Sequence, residues 1–91
     1  MAREKMEMKA SGTTAPNKLA GAIIMCIRDD KQDADIACIG AGAVNQAMKA
    51  VAIARGMGAP SGVDIVALPY FVDMEEAAEL KTSLHILVQE R

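Results

Sequence analysis

Polar and apolar positions change their period along this chain, and each change marks an element. Arg3, Lys5, Glu7 and Lys9 interleave with Glu4, Met6, Met8 and Ala10. That period of two predicts a strand with Met6, Met8 and Ala10 turned inward. Ser11-Gly12-Thr13-Thr14 is turn chemistry, and Pro16 suits a first helical position, where its missing N–H is of no consequence. Leu19, Ala22, Ile23, Cys26 and Ile27 then recur at the spacing of one helix face, so an amphipathic helix should end near Arg28. Asp29 to Asp33 is a charged connection. Ala34 to Ile39 is apolar apart from Asp35 and reads as a strand covered on at least one face.

Gly40-Ala41-Gly42 is a tight turn into a second helix, from about Ala43 to about Arg55, with Gly56 and Gly58 expected to stop it. Its core stripe reads Val44, Ala47, Met48, Val51 and Ala54, with Asn45, Gln46 and Lys49 opposite. A Gly- and Pro-containing loop over residues 58–62 leads to a third strand, Val63 to Val72. Pro69 lacks the N–H that a ladder needs, which assigns that strand to an edge or a bulge. Asp73 to Glu79 reads as an acidic connector with a short helical turn. Leu80, Thr82, Leu84, Ile86 and Val88 alternate with Lys81, Ser83, His85, Leu87 and Gln89, which predicts a final strand.

The order is β-α-β-α-β-β. Two helical crossovers make the first three strands parallel, and their right-handedness puts both helices on one face of the sheet. The fold class is therefore α+β, a two-layer sandwich in one domain over residues 1–91, with the second sheet face left for water or a partner.

Composition sharpens this picture. Hydrophobic residues make up 52% of the chain, yet it has one Phe, one Tyr, no Trp and seven Met. The core must be built from small and aliphatic side chains, which let helices sit close to a sheet and leave apolar surface to be buried between subunits. Cys26 and Cys38 both fall in apolar segments and read as small buried thiols, and no spaced Cys/His set suggests zinc. Residues 1–9 are charged and lack an apolar stretch, and no run is long enough to span a bilayer. A cytoplasmic location, no membrane partner and no cofactor are expected. Net charge is −2, but residues 1–60 hold eight Lys/Arg against six Asp/Glu, and residues 61–91 hold two against six. A basic first part thus precedes an acidic hairpin.

The most informative segment joins strand, glycine turn and helix start in Ile39-Gly40-Ala41-Gly42-Ala43-Val44-Asn45-Gln46. Unsatisfied N–H groups at such a helix start attract anions. The plain alternative is a tight turn that needs glycine. A dinucleotide site fails, because Asn45 stands at the third glycine position, the chain is too short for a doubly wound sheet, and Asp64 matches the ribose-acid spacing only by coincidence. Asn45, Gln46 and Lys49 share a face suited to phosphate or bases. Ala52 and Ile53 continue that face, and apolar residues there suit an oligomer contact. Asn17 and Lys18 open the first helix beside Lys9, and a cation at a helix N-terminus is unfavourable until an anion arrives. His85 and Ser83 share a face of the last strand, but no placed acid or oxyanion hole is evident, so His85 reads as an exposed strand histidine rather than part of a catalytic triad.

Residues 40–56, Gly40-Ala41-Gly42-Ala43-Val44-Asn45-Gln46-Ala47-Met48-Lys49-Ala50-Val51-Ala52-Ile53-Ala54-Arg55-Gly56, closely resemble bacterial stage V sporulation protein S, as do Ala59-Pro60-Ser61-Gly62-Val63-Asp64 and Pro16-Asn17-Lys18-Leu19-Ala20-Gly21-Ala22. The resemblance implies an Alba-like fold, with a mixed four-stranded sheet whose last strand lies between the second and third. It also implies dimers or higher oligomers and a nucleic-acid-binding ancestry, with the loop before the first helix as the contact region. That gives a candidate set of Lys9, Asn17, Lys18, Gly40, Gly42, Asn45, Gln46, Lys49 and Arg55, with Ala52 and Ile53 at an oligomer interface. Two functions follow as expectations. One is a non-enzymatic nucleic-acid-binding regulator, dimeric or tetrameric, acting in sporulation or a related developmental programme. The other is an adaptor that binds a protein partner and no nucleic acid.

Overall fold

A computed structural model describes residues 3–76 and 79–91. Strand β1 (Lys5–Ala10) leads to helix α1 (Pro16–Ile24), which widens into a π-type turn over Met25–Asp29. Strand β2 (Asp33–Cys38), helix α2 (Ala41–Gly58), a short 3-10 turn (Ala59–Ser61), and strands β3 (Ile65–Glu76) and β4 (Glu79–Glu90) follow. The sheet runs β1-β2-β4-β3. β1 and β2 are parallel, and β4 is antiparallel to both β2 and β3. This is the mixed four-stranded α+β arrangement that the element order and the family resemblance imply, with the last strand inserted between the second and third. Pro69 lies on β3, an edge strand, where a missing donor is tolerated.

Both helices cover one face of the sheet. The core joins Leu19, Ile23 and Ile27 of the first helical segment to Ala47, Ala50 and Ala54 of α2, over Ile36, Ile86 and Val88 of the strands. Four side chains of α2 that are nearly or wholly inaccessible are alanines: Ala43, Ala47, Ala50 and Ala54. Small side chains lower the crossing distance, and closely packed interiors leave little slack.

Several local expectations change. The α2 stripe is rotated: Ala43, Ala50 and Gly58 are buried, Val44 is half-buried, and Met48 is 47% exposed. In α1, Ala20 and Ile24 are buried whereas Ala22 is exposed. Each helix packs against both its partner helix and the sheet, so its buried arc is wider than a single stripe and favours the smallest side chains. Met6 is 38% exposed, because β1 is an edge strand beyond full helix cover.

The acidic stretch after Val72 is no helical turn among the described residues. Asp73–Glu76 extends β3, and Glu79 already belongs to β4. The pairing runs unbroken from Ile65↔Glu90 to Glu76↔Glu79. A two-stranded ribbon satisfies its backbone by cross-strand bonds and tolerates charge on both faces, so an acidic composition does not exclude strand. Phe71, on the helix-side face with Ile65 and Ala67, is 75% exposed where this ribbon emerges.

Helix α2 runs through Gly56 and ends at Gly58. These two glycines have different reasons to be there. A Cβ at Gly58 would lie 2.9 Å from both Ile24 Cδ1 and the Val63 carbonyl oxygen, whereas a Cβ at Gly56 would meet nothing within 4 Å. Gly58→Ala should therefore destabilise the fold by about 1–3 kcal/mol through overpacking. Gly56→Ala should stabilise it by about 0.5–1 kcal/mol through helix propensity. Urea denaturation of the two variants checks the opposite signs.

Candidate functional site

Parallel β1 and β2 both end on the same edge of the sheet, and each hands the chain to a helix there. The two connections touch. A Cβ on Gly42 would lie 3.2 Å from Gly12 Cα, so the backbones cross at glycine on each side. Gln46 Nε2 donates to the Thr14 carbonyl at 2.9 Å, tying α2 to the β1–α1 loop. Gly40 has φ +92°, a conformation that glycine adopts without strain. The Ser11, Thr13 and Thr14 side chains close that loop, with Ser11 N–H donating to Thr14 Oγ1 at 2.8 Å.

Neither helix start is capped by a side chain, and neither has an acid in its first turn. Lys9, Asn17, Lys18, Gly40, Gly42, Asn45 and Gln46 are thus gathered at one edge. Asn45 Nδ2 donates weakly to Gln46 Oε1 at 3.4 Å. Lys49 lies about 6 Å further along the α2 axis than Asn45, and Arg55 about 15 Å further, so Arg55 stands apart from the group. Ala52 is exposed beside Met48 and Arg55 in a shallow groove against Ile65 and Ala67. Ile53 is half-buried and packs against the core, so it and Ala52 do not form one exposed patch.

Charge pairing follows position. Arg3 contacts Asp33 and Glu90, Lys5 contacts Asp35, Arg28 contacts Asp29, and Arg91 contacts Asp64 at 2.9 Å. Among the described residues, Lys9, Lys18, Lys49 and Arg55 make no such pair. The Asp64 contact with Arg91 also gives that acid an ordinary structural role.

The sheet face away from the helices carries what sequence reasoning missed. Asp35 is buried there, and it accepts a hydrogen bond from the Tyr70 hydroxyl. His85 Nδ1 lies 3.2 Å from the other carboxylate oxygen, and Lys5 Nζ approaches to 3.8 Å. The His85 side chain is therefore mostly buried rather than exposed, and a placed acid does stand beside it. The tautomer consistent with this contact carries its proton on Nδ1 and leaves Nε2 outside the network. Ser83 is buried two residues away, but among the described residues its Oγ has no hydrogen-bond partner, His85 included. The arrangement braces an imidazole. Among the described residues no three His, Cys, Asp or Glu side chains gather as a metal site. No described helix is long and apolar enough to cross a membrane.

A family model described as stage V sporulation protein S matches residues 6–91. The chain belongs to the stage V sporulation protein S family. The match spans the glycine-crossed edge and Asp35, Tyr70 and His85 of the buried network. Membership makes the protein sporulation-related.

Two further groups bear on chemistry in this family member. Cys26 and Cys38 are buried and unpaired by disulfide. Burial pushes both thiols up, with Asp30 adding to the effect at Cys26, so they stay protonated and poorly nucleophilic. The only local signal for the Asp35 network was an acid inside an otherwise apolar strand, because its partners lie 35 and 50 positions away.

Tyr70 reports on that network. Its hydrogen bond to Asp35, then burial, then the negative charge of Asp35 hold the phenol in its protonated form, with its pKa pushed up to about 12. Folding thus favours protonated Tyr70. This contribution to stability is complete below about pH 10, the ordinary tyrosine value, and is lost as pH rises from there through about 12. Tyr70 is the only tyrosine, so ultraviolet absorbance reads it directly. Asp35→Asn should bring its titration back towards pH 10, and an unchanged titration would remove Asp35 as the cause.

Proposed function

We propose that this protein is a non-enzymatic, intracellular regulator of sporulation or a related developmental programme that binds nucleic acid as a homo-oligomer. The observation that carries the reading is the shared edge where two uncapped helix starts meet around crossed glycine turns, with Lys9 and Lys18 beside them making no ion pair among the described residues. Helix N-termini and lysines favour phosphate, and Asn17, Asn45 and Gln46 add neutral donors. The cations with acidic partners lie elsewhere, so the edge keeps its positive character despite a net charge of −2.

One subunit offers few cations, and nonspecific affinity scales with the number of phosphates neutralised. Self-association supplies more. Met48 and Ala52 are exposed along α2 beside the edge strand β3, an apolar shoulder of the kind that subunits bury. Met48→Asp should lower the mass measured by gel filtration to that of a monomer, while an unchanged mass would move the interface elsewhere.

Anisotropy titrations of labelled DNA and RNA test the main claim. Affinity should fall steeply with salt, and Lys18→Glu should weaken binding by about tenfold or more at low salt and flatten the log–log salt slope by about 1. Lys31→Glu is the control, because Lys31 precedes β2 at the opposite end of the sheet. Absence of binding by the intact oligomer at low salt would leave the adaptor reading, and equal damage from both variants would dissolve the edge as a site.

A further inference from the structure

The helix-free sheet face contains a hollow of about 620 Å³ beneath the β1–α1 loop, between Lys9 and His85. Thr14, Ala37, Ile39 and Ser83 also line it. We propose that this hollow binds a small amphipathic anion, a carboxylate or phosphate carried on a compact apolar body.

Four observations define the occupant. Ser83 is only 4% exposed and its Oγ has no partner among the described residues; buried hydroxyls are normally satisfied, so a ligand atom is the missing partner. Ile39 is a large aliphatic residue left 73% exposed at the same place. Together with Ala37 it gives the hollow an apolar wall. Lys9 has no ion pair among the described residues and supplies positive charge. His85 is held through Nδ1 by Asp35, which fixes the ring and leaves Nε2 unused by the network. Of the acids on this face, Asp35 already meets Lys5, Tyr70 and His85; Glu7 is exposed on the same face of β1.

One cation with a few hydroxyls suits a single anionic head rather than a run of phosphates. The size falls within the range of roughly 300–1,000 Å³ that holds small molecules. This site is distinct from the helix-start edge, although Lys9 stands at the border of both.

The test is a titration of the isotopically labelled full chain with benzoate, phenyl phosphate and benzyl alcohol, followed by amide NMR. At least one anion should give saturable shifts confined to residues lining the hollow, about tenfold tighter than the neutral alcohol. Which anion prevails distinguishes a carboxylate from a phosphate ligand. Ser83→Ala should weaken that anion by about tenfold. Ala37→Leu, which fills the hollow, should abolish its binding while leaving salt-dependent nucleic-acid binding in place, so either proposal can fail without the other. Dispersed spectra of both variants establish that they fold. The proposal is overturned if neither anion gives saturable shifts by about 10 mM, if the alcohol binds equally well, or if the shifts centre on Asn17 and Gly42 instead.

Discussion

The close approach of α2 to its neighbours is the constraint from which the other features follow. Ala43, Ala47, Ala50 and Ala54 form its buried side, and a glycine marks a tight contact near each end. Gly42 meets Gly12 at the start, and Gly58 meets Ile24 and Val63 at the finish. With one Phe, one Tyr and no Trp, the core has little bulk with which to hold layers apart. Proximity is the way such a core removes apolar surface from water and keeps dispersion contacts. The crossing of the two βα turns is a consequence, and it brings both helix starts to one edge.

The same economy leaves the second sheet face without a helix layer. Its strands are joined there by polar groups. Lys5 on β1, Asp35 on β2, His85 on β4 and Tyr70 on β3 converge, so one carboxylate spans all four strands. At the far end of β2, Asp33 meets Arg3 and Gln89, and Arg3 also donates to the Ile27, Lys31 and Gln32 carbonyls around the end of the first helical segment. A buried carboxylate is tolerable only with such partners, and removing one leaves an uncompensated charge. The polar face is therefore specific in register, because a one-residue slip would turn each acid towards the aliphatic core.

Period-two and helical repeats make the element order, the parallel first strands and the one-sided helix layer legible, and Pro69 confines its strand to an edge or a bulge. What periodicity misses is contact between distant segments. Gly56 reads as a helix stop although α2 runs through it to Gly58, and the sequence neighbours of Gly58 say nothing of Val63 and Ile24 pressing on it. Met48 looked like core because a helical stripe has no label for which of two neighbours it faces. His85 reads as exposed because the acid that holds it lies on β2, and the acidic stretch reads as a connector with a helical turn because its backbone partner lies on the neighbouring strand.

Charge placement then separates scaffold from surface. Arg3, Lys5 and Arg91 are engaged by Asp33, Asp35, Glu90 and Asp64, and their work is to complete the sheet. Had Lys9 and Lys18 been paired in the same way, the edge would present two helix starts to solvent with no net attraction for a polyanion. Lys9 sits at the turn from that edge to the uncovered face, where β1 ends. An anion lodged beside it beneath the loop would neutralise the charge that the edge also uses. Because the phosphate contribution is counted cation by cation, a thinly charged subunit would feel that loss more than a strongly basic one.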